Sequence, residues 1–343
     1  MNPQALIITA KAMVAEGKGL LAIDESTGTC NKRFASAGIP QTEENRQAYR
    51  DVLITTPGLN ECISGAILFD ETIRQCRTDG VSFVKTLTDA NIIPGIKVDL
   101  GAKEMPAFPG EKITEGLDGL RARLKTYFDL GARFAKWRAV IAIGDGLPSH
   151  ACIEANAQAL ARYAAMCQDV GLVPIVEPEV LMDGAHTLER CAEVTENVLH
   201  QVFAQLYRQR VLFEGMILKP NMVVPGLACT TQPGIDEVAD ATVQCMWRAV
   251  PAAVPGIAFL SGGQSSELAS ARLNAMQIRF NTPPNRTPWA LSFSFGRALQ
   301  NEALQAWAGV EANREKAQNA LLHRARCNGA ALRGKYQAGM EST

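Results

Sequence analysis

Gly215-Met216-Ile217-Leu218-Lys219-Pro220-Asn221 is a short apolar run that carries one ammonium group at its end and is then stopped by proline. Such a run reads as a buried strand whose last side chain is placed rather than solvated. Short apolar runs recur outward in both directions, in Leu20–Asp24, Ala66–Asp70, Ile92–Val98, Phe134–Ile141, Val173–Val180, Ile257–Leu260 and Trp289–Phe295. Eight strands roughly forty residues apart, each with room for a helix before the next, predict an α/β fold: a (β/α)8 TIM barrel, a single domain over residues 1–343. A doubly wound open sheet would show a glycine-rich turn after its first strand, and Asp24-Glu25-Ser26-Thr27-Gly28 is not G-x-G-x-x-G.

Amphipathic patterning predicts helices over Gly119–Gly131, Ile153–Gly171, Glu189–Arg208 and, alanine-rich, Glu302–Ala325. Met1–Leu20 reads as an opening helix and not as a targeting segment. Cys327–Thr343, glycine-rich and weakly patterned, reads as a mobile tail. The chain has 34 basic and 35 acidic residues, a balance that argues against nucleic acid as a partner, and no stretch approaches the eighteen or so apolar residues of a membrane span. Nine scattered cysteines without a C-x-x-C pair read as reduced thiols of a cytoplasmic enzyme.

Strand alternation sorts the charges. In Phe134-Ala135-Lys136-Trp137-Arg138, Lys136 and Arg138 share one face, and in Val173–Val180 so do Glu177 and Glu179. Together with Asp24, Lys97, Lys219 and Arg297 they bring five cations and three carboxylates to the barrel interior. Buried charges must compensate one another or meet a ligand, and an excess of cations suits an anion such as a sugar phosphate. A lysine among apolar neighbours or beside another cation is pushed toward the free amine that attacks a carbonyl, whereas a lysine that merely snorkels from a strand end does no chemistry. Ser261-Gly262-Gly263 and Ser294-Phe295-Gly296-Arg297 close the last two strands, where barrels often bind phosphate.

These motifs, with Leu21–Gly28, Gly95–Asp99, Ala135–Arg138, Ile175–Glu179, Leu218–Asn221, Phe259–Gln264 and Gly296–Gln300 in order, resemble the class I fructose-bisphosphate aldolases over nearly the whole chain. The resemblance implies reversible cleavage of fructose 1,6-bisphosphate to dihydroxyacetone phosphate and glyceraldehyde 3-phosphate in glycolysis and gluconeogenesis, by a homotetramer that needs no cofactor. It implies Lys219 as the Schiff-base lysine, Glu177 as general acid/base, Glu179 and Lys136 as its charge network, and Asp24 at the C4 hydroxyl. Ser261, Gly262, Gly263, Ser294, Arg297 and Arg33 resemble a C1-phosphate site; Ser26, Thr29 and Lys97 resemble a C6-phosphate site, with Arg138 in support.

Two positions depart from the pattern. The chain has no terminal tyrosine, its last being Tyr336, and Phe295 stands where many relatives have tyrosine. The zinc-dependent class would need several histidine ligands, and no two of His150, His186, His200 and His323 share a ligand spacing on one element. A transaldolase-like or keto-acid lyase barrel would share Lys219, and a non-catalytic scaffold is the remaining alternative.

Overall fold

The computed structural model describes residues 2–281 and 286–342; Met1, residues 282–285 and Thr343, on which parts of the opening-helix and tail expectations fall, lie outside the described residues. The strands are β1 (Gly19–Ala22), β2 (Ile63–Leu68), β3 (Ile93–Lys97), a hairpin β4 (Ala102–Glu104) and β5 (Lys112–Thr114), β6 (Phe134–Ile141), β7 (Val173–Val180), β8 (Ile217–Leu218), β9 (Gly256–Phe259) and β10 (Ala290–Phe295). All except the hairpin pair in parallel and close a barrel in the order β1-β10-β9-β8-β7-β6-β3-β2. The hairpin was not visible in the sequence, because its strands are three residues each and mostly polar.

The helices are α1 (Pro3–Met13), α2 (Thr27–Ser36), α3 (Glu43–Ile54), α4 (Asp70–Ile73), α5 (Phe83–Asp89), α6 (Leu120–Asp129), α7 (His150–Val170), α8 (Leu188–Arg208), α9 (Ile235–Ala249), α10 (Ser266–Phe280), α11 (Arg297–Trp307) and α12 (Arg314–Ala331). The single helix expected over Glu302–Ala325 is two: Ala308 and Gly309 both take positive φ, and this left-handed pair ends α11. α12 then runs on through residues 327–331, inside the segment expected to be a mobile tail. Beyond it, Tyr336 is buried and donates its hydroxyl to Glu341 at 2.6 Å, and Glu341 accepts from the buried Arg324.

Alternation gives every barrel strand an outer face under the helices and an inner face. Outward Trp137 packs at a tilt, ring centroids 5.6 Å apart, against Tyr163 of α7, whose hydroxyl donates to the Ala135 carbonyl. Inside, Leu20, Ile67, Phe134, Val173, Ile175, Ile217 and Ala258 form a separate apolar cluster, closed from one end by Leu6, Ala10 and Met13 of α1. This layer fills the barrel at the start of the strands, so the charged residues near the strand ends lie above a packed floor. Phe134 lies across the neighbouring strands, where a Cβ at Gly95 would sit 2.1 Å from its ring and one at Gly65 3.0 Å away.

Gly95→Ala therefore forces the Phe134 ring out of its place. It should cost about 1–3 kcal/mol in urea unfolding, partly recovered when Phe134→Leu is added. An unchanged unfolding midpoint for Gly95→Ala would remove this steric account of the barrel floor.

Candidate active site

Above the floor the inner face turns polar at the C-terminal ends of the strands. β6 delivers Lys136, β7 delivers Glu177 and Glu179, and the residue after β8 is Lys219, whose amide donates to the Val176 carbonyl at 2.8 Å. Asp24 follows β1 and Lys97 ends β3. They open into one cavity of about 490 Å3, lined by seven cationic and four carboxylate side chains, so the cationic excess inferred from the sequence is present.

Glu177 is the hinge of the cluster. Lys219 Nζ lies 3.1 Å from its Oε1, while Lys136 Nζ lies 3.2 Å from its Oε2 and 2.7 Å from Asp24 Oδ2. Lys136, Glu177 and Lys219 are each at most 4% exposed. Burial alone would raise both carboxyls, but the Lys136 and Lys219 ammonium groups outweigh it, bringing Asp24 down to about 2 and holding Glu177 below the usual carboxylate range. Lys136 is pulled down by burial yet ends well above its ordinary value, because Asp24 and Glu177 both face it. Lys219 meets a carboxylate, where the sequence reading expected apolar neighbours or a second cation. Its proton thus has an acceptor in contact. Arg138, half-exposed, donates to Glu179, and Lys97 Nζ lies 3.4 Å from Asp99.

The barrel order puts β3, with Lys97, diametrically opposite β9, which leads into Ser261 and Gly262. A ligand that touches both must span the mouth. On the β9 and β10 side, Gly262 and Gly263 adopt φ of +64° and +113°, a turn that other residues rarely take. Gln264 anchors it, donating to the Ser261 carbonyl at 3.0 Å and accepting from Arg272 at 2.7 Å. Ser294 Oγ is buried, lines the cavity and has no hydrogen-bond partner among the described residues. Exposed Arg297, at the start of α11, has no ion pair among the described residues, and Gly263 lies against its guanidinium. An unpaired hydroxyl and an unpaired guanidinium beside a glycine turn can take an anion.

Ser26 caps α2 and its hydroxyl lies 3.1 Å from that of Thr29. Arg33, grouped by resemblance with the Ser261 end, is held by Glu25 and by Gln300 at 3.0 Å. All the expected site residues line the cavity except Gly263, which adjoins it. Glu25, Lys32 and Ser36 also line it and were missed. A signal existed: Thr29, Lys32, Arg33 and Ser36 fall at i, i+3, i+4 and i+7, one face of α2. Phe295 points away from Ser294, its ring 5.3 Å from that of Phe293 in the outer core. The one grouping of three His, Cys or carboxylate side chains with metal-compatible spacing among the described residues is His323, Cys327 and Glu341, outside this cavity.

A sequence model of the family "Glycolytic: Fructose-bisphosphate aldolase class-I" matches residues 5–343. A protein of Xanthomonas campestris named "Probable fructose-bisphosphate aldolase class 1" is 57% identical over 338 residues, covering 98% of this chain and 100% of its own. "Fructose-bisphosphate aldolase 5, cytosolic" of Arabidopsis thaliana is 53% identical, covering 97% of this chain and 92% of its own. Among solved structures, a fructose-bisphosphate aldolase from Plasmodium falciparum superposes with a TM-score of 0.95 at 50% identity, covering 98% of this chain and 96% of that one.

Because Asp24 is depressed from 3.8 to about 2, its contribution to stability is present above pH 4 and is lost as the pH falls toward 2. In urea unfolding over that range, Asp24→Asn should lower stability at neutral pH, where Lys136 loses its nearest carboxylate, and flatten the acid slope. Identical pH slopes for the two proteins would contradict the assigned charge pairing.

Proposed function

The chain belongs to the class-I fructose-bisphosphate aldolases, aldehyde-lyases that reversibly cleave fructose 1,6-bisphosphate, and we propose that Lys219 is the amine through which it does so. The observation that carries this reading is the buried contact of Lys219 with Glu177, a carboxylate shared with Lys136. Lys219 Nζ, its proton passed to the carboxylate, attacks C2 of the ketose. Glu177 then protonates the carbinolamine hydroxyl, which leaves as water, and a protonated imine remains. The C3–C4 bond breaks as its electron pair moves toward the imine nitrogen. The C4 hydroxyl proton passes to a carboxylate, Asp24 or Glu177, and glyceraldehyde 3-phosphate departs. Protonation of the enamine at C3 and hydrolysis return dihydroxyacetone phosphate and the free amine. Lys136 holds Asp24 and Glu177 as anions, and Glu179 fixes Arg138 at the rim.

The two ends of the cavity suit the two phosphates. The C1 phosphate would take Ser261, Gly262, Gly263, Ser294 and Arg297, with Arg33 released from Glu25; the C6 phosphate would take Lys97, Ser26 and Thr29, with Arg138 nearby. Diametric placement of β3 and β9 and the unpartnered Ser294 Oγ support this two-ended arrangement, which a lyase of a singly charged substrate does not need. Homotetrameric assembly and a cytoplasmic setting belong to the same proposal. Exposed Tyr207 and Trp247 are candidates for the subunit contacts, one relative is named cytosolic, and no helix among the described residues is long and apolar enough to cross a membrane.

Lys219→Met keeps the side-chain volume and loses the amine. It should abolish both turnover and borohydride trapping with dihydroxyacetone phosphate while leaving the unfolding midpoint near that of the parent. Labelling of another lysine with undiminished turnover would sink the assignment. Arg297→Ala should raise KM about 10–100-fold for both fructose 1-phosphate and the bisphosphate, as expected for a lost charge-assisted contact, whereas Lys97→Ala should penalise the bisphosphate alone. Equal penalties from both variants on both substrates would contradict the two-ended model.

A further inference from the structure

Three side chains near the C-terminus converge outside the catalytic cavity, and the aldolase reaction uses none of them. His323 and Cys327 stand at i and i+4 on α12, so they share a helix face, and Glu341 reaches them from the 3-10 turn over Ala338–Ser342. His323 Nε2 lies 3.6 Å from Cys327 Sγ and 4.0 Å from Glu341 Oε2, and the three donor atoms all lie within 4.8 Å of one another. Zinc bonds of about 2.0 Å to nitrogen and about 2.3 Å to sulfur at a tetrahedral angle place N and S about 3.5 Å apart. The histidine and cysteine are therefore already at the separation of two ligands on one ion. Only the carboxylate has to move inward.

We propose that His323, Cys327 and Glu341 form a structural site for a divalent ion of the zinc class, with water as fourth ligand, that clips the C-terminal segment to α12. Imidazole and thiolate select such ions over magnesium or calcium, which take oxygen donors. The surroundings already orient the carboxylate, as outer partners of metal ligands commonly do. Tyr336 donates to Oε1 at 2.6 Å and Arg324 donates to Oε2. His323 and Glu341 are 30% and 20% exposed, so an ion can enter from solvent, while the thiol lies buried beneath them. Binding releases the Cys327 thiol proton. The ion then adds one net positive charge beside Arg324, which the Glu341 carboxylate offsets by bridging the two.

The test starts from protein stripped with chelator, titrated calorimetrically with Zn2+ and spectroscopically with Co2+. The expected result is one ion per chain, a thiolate-to-cobalt charge-transfer band, the intense visible bands of four-coordinate cobalt, and a rise in Tm of about 2–4 °C with excess Zn2+. Mg2+ should do none of this. His323→Ala and Cys327→Ala should each weaken Zn2+ at least ten-fold, Cys327→Ala should also remove the charge-transfer band, and His323→Gln, at a partly exposed position, supplies the affinity test if the cysteine variant does not fold. Fructose 1,6-bisphosphate cleavage should be the same with and without Zn2+. Absence of the band in the parent protein, its persistence in Cys327→Ala, or unaltered Zn2+ affinity in the His323 variants would overturn the site.

Discussion

The charged end of the barrel depends on one carboxylate held between two ammonium groups. Glu177 touches Lys219 with one oxygen and Lys136 with the other, and all three are buried. None could be kept there alone, since an unpaired buried charge costs several kcal/mol. Asp24 supplies the second negative charge that Lys136 needs. The same compensation that makes the cluster tolerable also gives the proposed chemistry its acid, its base and its nucleophile within one contact of each other.

That cluster can exist because the barrel below it is filled. Phe134 occupies the space left by Gly65 and Gly95, and α1 closes the floor with Leu6, Ala10 and Met13. Apolar packing at the strand starts and charge at the strand ends are two layers of the same inner faces. Along β6, Phe134 lies in the lower layer and Lys136 in the upper, two residues apart on one face.

A third layer of control lies outside the strands. Gln264 and Arg272 brace the turn whose glycines face Arg297, and Glu25 holds Arg33 and Arg50 at the base of α2. Outside the barrel, buried Arg324 ties α12 to Ser266 and Ser270 of α10 and to Glu341 of the final turn, so the C-terminal segment belongs to the same framework.

By itself the sequence determined the barrel and which charged side chains line its cavity. The barrel strands are short apolar runs recurring between helical segments, several of them carrying charges at alternate positions or at their ends, and alternation of period two dictates that Lys136 faces inward while Trp137 does not. Lys219, Glu177 and the Ser261-Gly262-Gly263 turn were legible for that reason. Tertiary structure alone decided what touches what. That Glu177 is shared by Lys219 and Lys136, that Arg33 is held by Glu25, and that Ser294 is left without a partner among the described residues are facts of register and barrel closure between segments far apart in the chain. The break between α11 and α12 and the course of the last residues were also decided there. The left-handed turn at Ala308-Gly309 and the pull of buried Arg324 on Glu341 outweighed a helical, then featureless, local pattern. Local propensity is worth a few tenths of a kcal/mol per residue, less than one buried, charge-assisted contact.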